Sequence, residues 1–145
     1  MTAQSITARA VNLLSRREHS QAELRTKLRK AEFELDEINI TIDKLAEADI
    51  QSDARFAENY LRYRSQRGFG SQKIRLELKE RGVDSDTIDT AFKQADVDWF
   101  ELAITVRNKR FGVQAPDNLK DRAKQQRFLQ YRGFTHEQIN ESLNS

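Results

Sequence analysis

The strongest constraint on how this chain can fold is a phrase that it writes three times. The stretch LKERGVDSDTIDTAF, Leu78 to Phe92, aligns without a gap on LQYRGFTHEQINESL, Leu129 to Leu143. Gly82 and Gly133, Ile88 and Ile139, Leu78 and Leu129, and Phe92 and Leu143 are each separated by 51. An offset of 50 pairs Leu24 with Ile74, Leu28 with Leu78, Phe33 with Val83, Ile38 with Ile88 and Ile42 with Phe92. A fixed period of this size indicates stacked helical units, each too small to bury its apolar face alone.

Each copy reads as three helices, and the middle copy is the clearest. Ser52 or Asp53 caps a helix running to about Gly68, with Phe56, Tyr60 and Tyr63 on one face. A second helix from about Ser71 to Arg81 buries Ile74 and Leu78, and Gly82 follows where a left-handed residue is needed. Asp84 then caps a third helix that buries Ile88 and Phe92. Ser20 with Glu23, and Thr135 with Gln138, have the spacing of capping boxes. The first copy has Glu32 where the others have glycine, so its second turn is expected to be built differently. Matching FAENYLRYR to LAITVRNKR needs an offset of 46, which places about five extra residues near FGVQAPDN. No hairpin signal is present. The expected fold is all-α: three tandem three-helix repeats, residues 1–50, 51–97 and 98–145, stacked into an elongated, curved domain.

Charge is sorted along this frame, although the net is only +2. Residues 9–30 hold seven basic and two acidic side chains, and residues 31–54 hold one and eight. The alternation continues with eight and three over 55–81, one and six over 82–101, and eight and two over 105–132. Basic blocks coincide with the first two helices of each copy. Stacking would draw them into a stripe able to meet an anionic partner. Arg25 and Arg29 are like charges at i,i+4, and Arg75 and Lys79 repeat the pair. Such neighbours cost an isolated helix roughly 0.2–0.5 kcal/mol each time, and a cost written twice points to a use. In the third copy Gln126 and Gln130 take these places.

Catalytic chemistry finds little support. The chain has no cysteine, hence no disulfide framework and no thiolate metal site. His19 and His136 each adjoin a helix cap without a second ligand and are read as surface residues. RGFGSQK lacks the phosphate-loop spacing, and no Gly-x-Ser-x-Gly elbow occurs. Trp99 and Phe100 are expected to anchor packing between the second and third copies. The opening MTAQSITARAVNLL lacks a basic-then-apolar leader, and the apolar runs are short. A cytoplasmic, non-membrane protein without cofactor or metal is expected.

The order LLSRREHSQAELRTKL, then SDARFAENYLRYRSQRGFGSQKIRLELKERGVDSDTIDTAF, then QRFLQYRGFTHEQI resembles the RecX family of bacterial regulators of the recombinase RecA. The likeness extends from about Ala8 to Leu143 and is most specific between Asp53 and Phe92. One departure is the junction EADIQSD, which lacks the Gly-Tyr-Leu-Asp-like phrase associated with the family. The resemblance implies a curved monomer that lies in the groove of the RecA–DNA filament. It also implies inhibition of RecA's ATPase, strand-exchange and coprotease activities without catalysis by the regulator. The partner surface, whether for RecA or DNA, is then assigned to Arg25, Arg29, Arg62, Arg64, Arg67, Lys73, Arg75, Lys79 and Arg81, with Lys124, Arg127 and Arg132 in the third copy. The rival expectation is a stand-alone nucleic-acid-binding helical module, since a three-helix unit resembles a helix-turn-helix.

Overall fold

The structure, a computed structural model, describes residues 4–144. Met1–Ala3, on which the reading of the N-terminus partly rests, and Ser145 lie outside the described residues. Among the described residues the regular elements are nine α-helices and no strand. The first copy holds α1 (Ile6–Arg16), α2 (Gln21–Lys30) and α3 (Leu35–Glu47). The second holds α4 (Asp53–Gln66), α5 (Ser71–Glu80) and α6 (Ser85–Gln94), and the third α7 (Trp99–Phe111), α8 (Leu119–Arg132) and α9 (His136–Asn144).

Local chemistry starts these helices where the sequence places polar caps. Ser20 and Glu23 form the expected reciprocal box, and so do Thr135 and Gln138. Ser5, Asp98 and Asn118 cap α1, α7 and α8 through side-chain oxygens. Asp84 accepts from the Thr87 amide at 2.8 Å, which holds its carboxyl below the usual range. At α4 the choice between two caps is resolved. Ser52 accepts from the Arg55 amide at 3.1 Å, whereas Asp53 turns to the Gln21 amide at 2.9 Å, at the start of α2.

The ends of the second helices share one construction. The amides of Gly82 and Val83 donate to the carbonyls of Lys79 and Leu78, and those of Gly133 and Phe134 to Gln130 and Leu129. These are the paired bonds of a Schellman ending, with φ of +81° at Gly82 and +99° at Gly133. Glu32 overturns the expectation that the second turn of the first copy is built differently. Its amide and that of Phe33 donate to Arg29 and Leu28, and its φ is +70°. The turn is the same, and an exposed glutamate adopts the left-handed conformation at about 1–2 kcal/mol of steric cost.

The chain divides into two compact units, Met1–Tyr60 with Leu78–Lys93, and Leu61–Glu77 with Gln94–Ser145, so the second copy contributes to both. In the first unit α1, α2 and α3 pack on one another around Ala10, Leu24, Leu28, Ile38, Ile42 and Leu45. In the second, α7, α8 and α9 enclose Ala103, Val106, Leu129, Phe134, Ile139 and Leu143. Burying each Leu or Ile contributes roughly 1.5–3 kcal/mol. Ala10, Ala57 and Ala103 are all fully buried at matching positions of the first helices, where a small side chain admits close packing. Tyr63 departs from its apolar face and is 51% exposed. Phe100, at the start of α7, is 37% exposed, with Trp99 half-buried beside it.

Candidate docking surface

Two helix-end joints organise the charged residues. In the first unit the start of α2 is seated on the end of α5. Ser20 Oγ donates to the Arg81 carbonyl at 2.7 Å, and a Cβ on Gly82 would come within 2.4 Å of Ala22 Cβ. In the second unit the start of α5 is seated on the end of α8. The Gly70 amide donates to the Arg132 carbonyl at 2.7 Å, and the Gln72 amide donates to Gly133 at 2.9 Å. Gly70 and Gly133 are both required here by close approach. A Cβ on Gly70 would lie 2.5 Å from the Gly133 carbonyl carbon, and one on Gly133 would lie 2.4 Å from Lys73 Cβ. Each joint brings a partly positive helix N-terminus to a partly negative C-terminus.

The electrostatics around the joints differ. In the first unit four arginines are taken up by polar or acidic neighbours. Arg17 pairs with Glu23 at 3.0 Å, and Arg81 lies 4.0 Å from the same carboxylate and over the Tyr60 ring. Arg55 bridges Glu18 and Asp49, each at 3.0 Å. Arg25 donates to Asn39 at 3.0 Å, so half of the first like-charged pair ties α2 to α3. Arg29, its partner, is exposed.

In the second unit cations stack on aromatic rings instead. Phe69 is central: Arg64, Arg132 and Lys73 approach its centroid at 3.8, 4.9 and 5.4 Å. Lys73 also lies 4.3 Å from the Tyr131 ring, and Arg67 lies 4.6 Å over Tyr63. Arg64 is further held by Glu77 through two bonds of 2.8 Å, and is thereby neutralised. Arg67, Lys73 and Arg132 make no ion pair among the described residues. Stacking contributes roughly 0.5–1 kcal/mol at such sites and fixes a guanidinium plane while its N–H edge stays available. Tyr131 is 74% exposed, so an apolar face accompanies the charge. Arg62, Arg75, Lys79, Lys124 and Arg127 are exposed on α4, α5 and α8.

The burial of His19 and Arg107 was not anticipated from the sequence. His19 is not a surface residue: it is 1% exposed, its Nδ1 is 3.0 Å from the Arg17 carbonyl and its Nε2 is 2.8 Å from Lys27 Nζ. Burial lowers its pKa, and the adjacent Arg17 and Lys27 charges act in the same direction. The neutral ring therefore donates from Nδ1 and accepts at Nε2. Arg107 is also 1% exposed, donating to the Gln125 side chain at 2.9 Å, the Asn108 side chain at 3.0 Å and the Gln114 carbonyl. The repeat carried the signal for this cluster. The offsets of 46 and 51 set Arg107 and Gln125 where the second copy has the buried Leu61 and Ile74, so two polar residues replace two apolar ones together.

Family models covering RecX match this frame along the chain: the first three-helix domain at residues 8–45, the second at 52–91 and the third at 96–143. The chain belongs to the RecX family. It is 42% identical over 134 residues to the regulatory protein RecX of Pseudomonas entomophila, covering 92% of this chain and 86% of that protein. Identity to the RecX protein of Pseudomonas putida strain GB-1 is 40% over 139 residues, 96% of this chain and 89% of the other. Its fold matches the crystal structure of RecX from Lactobacillus salivarius with a TM-score of 0.80 and 25% identity, over 96% of this chain and 92% of that one. RecX relatives carry the name of regulatory proteins, and a regulatory role follows for this member. No helix among the described residues is long and apolar enough to cross a membrane, and no cluster of side chains there could hold a metal ion.

Proposed function

We propose that this RecX-family protein acts as a monomer that binds the RecA–DNA filament in the cytoplasm and inhibits RecA's ATPase, strand-exchange and coprotease activities, with no catalysis of its own. The observation that carries the proposal is the contrast between the two joints. Arg17, Arg55 and Arg81 of the first unit are paired with carboxylates, whereas Arg67, Lys73 and Arg132 of the second are held on rings with no counter-charge. Fixed, unneutralised guanidinium edges suit phosphates and carboxylates, both of which a nucleoprotein filament presents. Binding across several protomers would resist filament rearrangement, so inhibition needs no active site. Exposed cations elsewhere, including Arg29, Lys79, Lys124 and Arg127, would add salt-sensitive attraction during encounter.

Reversing Arg75 and Lys79 to glutamate tests the proposal, because both are exposed on α5. Inhibition of RecA's DNA-dependent ATPase should weaken, and weaken more as salt is lowered, while circular dichroism reports an unchanged fold. The matched reversal of Gln126 and Gln130 should do less. A folded Arg75→Glu/Lys79→Glu protein that inhibits like the parent would move the interface elsewhere. Exposed Tyr63 and Tyr131 beside the cations favour a second reading, a stand-alone nucleic-acid-binding module. Titrating naked and RecA-coated single-stranded DNA in parallel separates the two, since the module binds the naked strand equally well.

A further inference from the structure

A cavity of about 400 Å³ opens in the second unit, between the end of α4, α7 and α8. That volume lies within the range of small-molecule sites. Arg67, Lys109, Arg110 and Arg132 line it, and no carboxylate does. None of the four makes an ion pair among the described residues. Four cations gathered without a counter-ion repel one another, so the cavity is suited to an anion.

Part of the lining is apolar. Leu102, Val106 and Phe128 supply it, with Thr105 adding a hydroxyl. Phe128 lies edge-on to Phe111 at 5.4 Å, which fixes the plane of its ring. The Arg110 and Arg132 guanidinium carbons lie 5.7 and 5.1 Å from the Phe128 centroid, so charge and apolar surface are held side by side. The Arg132 guanidinium is also tethered, donating from Nη1 to the Arg67 carbonyl at 3.3 Å. Gly68 permits that approach: a Cβ there would sit 3.2 Å from Arg132 Nη1 and 3.1 Å from Val106 Cγ2.

We propose that this cavity binds a nucleoside phosphate, with the phosphate held by the four cations and the base laid against Leu102, Val106 and Phe128. A bare phosphate would satisfy the cations and leave the apolar wall wet. An apolar ligand would leave the cations uncompensated. A planar base joined to a phosphate through a sugar covers both, and the guanidinium edges supply the bidentate bonds a phosphate accepts. The same unit occurs as a free nucleotide and within a single strand, and neither source depends on the filament reading above.

The test is a ¹⁵N NMR titration of the full chain with thymidine 5′-monophosphate, repeated with inorganic phosphate and with a short oligodeoxythymidylate. The monophosphate should shift the Gly68, Val106 and Phe128 amides and bind at least about tenfold more tightly than inorganic phosphate. Lys109→Glu/Arg110→Glu, at two exposed positions, should weaken it by a similar factor with the remaining spectrum intact. Tighter binding of the oligonucleotide at the same amides identifies a strand as the source, and binding of the monophosphate alone identifies a free nucleotide. Equal affinity for inorganic phosphate, shifts confined to other residues, or a folded double variant that binds like the parent would each overturn the proposal.

Discussion

The joint at Gly82 and the joint at Gly133 are one piece of architecture made with different chemistry. Both seat a helix start on a Schellman ending, and both exclude a side chain from the turn. The first is bonded through a side chain, Ser20, and the Glu23 carboxylate beside it is shared by Arg17 and Arg81. The second is bonded backbone to backbone, through Gly70 and Gln72, and its cations rest on Phe69 and Tyr131. The geometry that builds a joint therefore leaves its charge free to vary. Where ion pairs surround it, the joint is structural. Where rings replace the carboxylates, the joint also holds cations without a counter-charge, the feature on which the proposed interface rests.

The sharpest way to break the comparison is at the glycines. Gly133→Val and Gly82→Val each combine a β-branched residue at positive φ with a Cβ contact of 2.4 Å. Strain and overpacking together should destabilise by about 2–5 kcal/mol, read by urea unfolding. Gly112 has the same sign of φ, +88°, but nothing within 4 Å of its Cβ position. Gly112→Val should show strain alone, about 1–3 kcal/mol. Equal losses at all three sites would mean that helix seating contributes nothing. The next largest effect belongs to Ser20→Ala, which removes both the cap of α2 and the bond to Arg81, for about 1–2 kcal/mol. The second joint has no equivalent side chain to remove.

How much of this was legible depends on whether a signal repeats. Leu24, Ile74, Leu28, Leu78 and Leu129 are fully buried as the period requires, and the capping boxes and positive-φ glycines lie where their neighbours place them. Those features are local, or recur at a fixed offset. The electrostatic difference between the joints is neither. Arg64 and Arg67 are three residues apart in one basic block, yet one is paired with Glu77 and the other is not. Only tertiary packing decides that. Lys109 and Arg110 lay inside a recognised basic block but were given no role, because what distinguishes them is the cavity they line together with Leu102, Val106 and Phe128.

A smaller effect separates the joints by pH. His19 precedes the Ser20 cap of the first joint, and its pKa is lowered below the ordinary 6.5, chiefly by burial. The unfolded chain then binds a proton more readily than the native one over the interval below 6.5, so the native state loses stability as pH falls through it. His19→Gln should flatten that part of the stability profile, with parent and variant diverging in slope below 6.5 and running parallel above it. Identical slopes would mean that the ring takes up its proton in place.

The smallest expected effect has the opposite sign and concerns the Schellman ending of α2. Glu32 has the left-handed φ of +70° and the same two backbone bonds as Gly82 and Gly133, but its side chain is exposed. Positive φ alone therefore does not demand glycine in this family of turns. The demand at positions 82 and 133 comes from Ala22 and Lys73, which occupy the space that a Cβ would need. At Glu32 the steric cost is borne by the backbone and can be relieved. Glu32→Gly should raise stability by about 0.5–1 kcal/mol, the gain being reduced by the extra freedom glycine gives the unfolded chain. Glu32→Ala keeps the strain and should stay near the parent. If Glu32→Gly instead destabilised the protein, contacts of the Glu32 side chain would have to outweigh its backbone strain, and the three turns would no longer be equivalent.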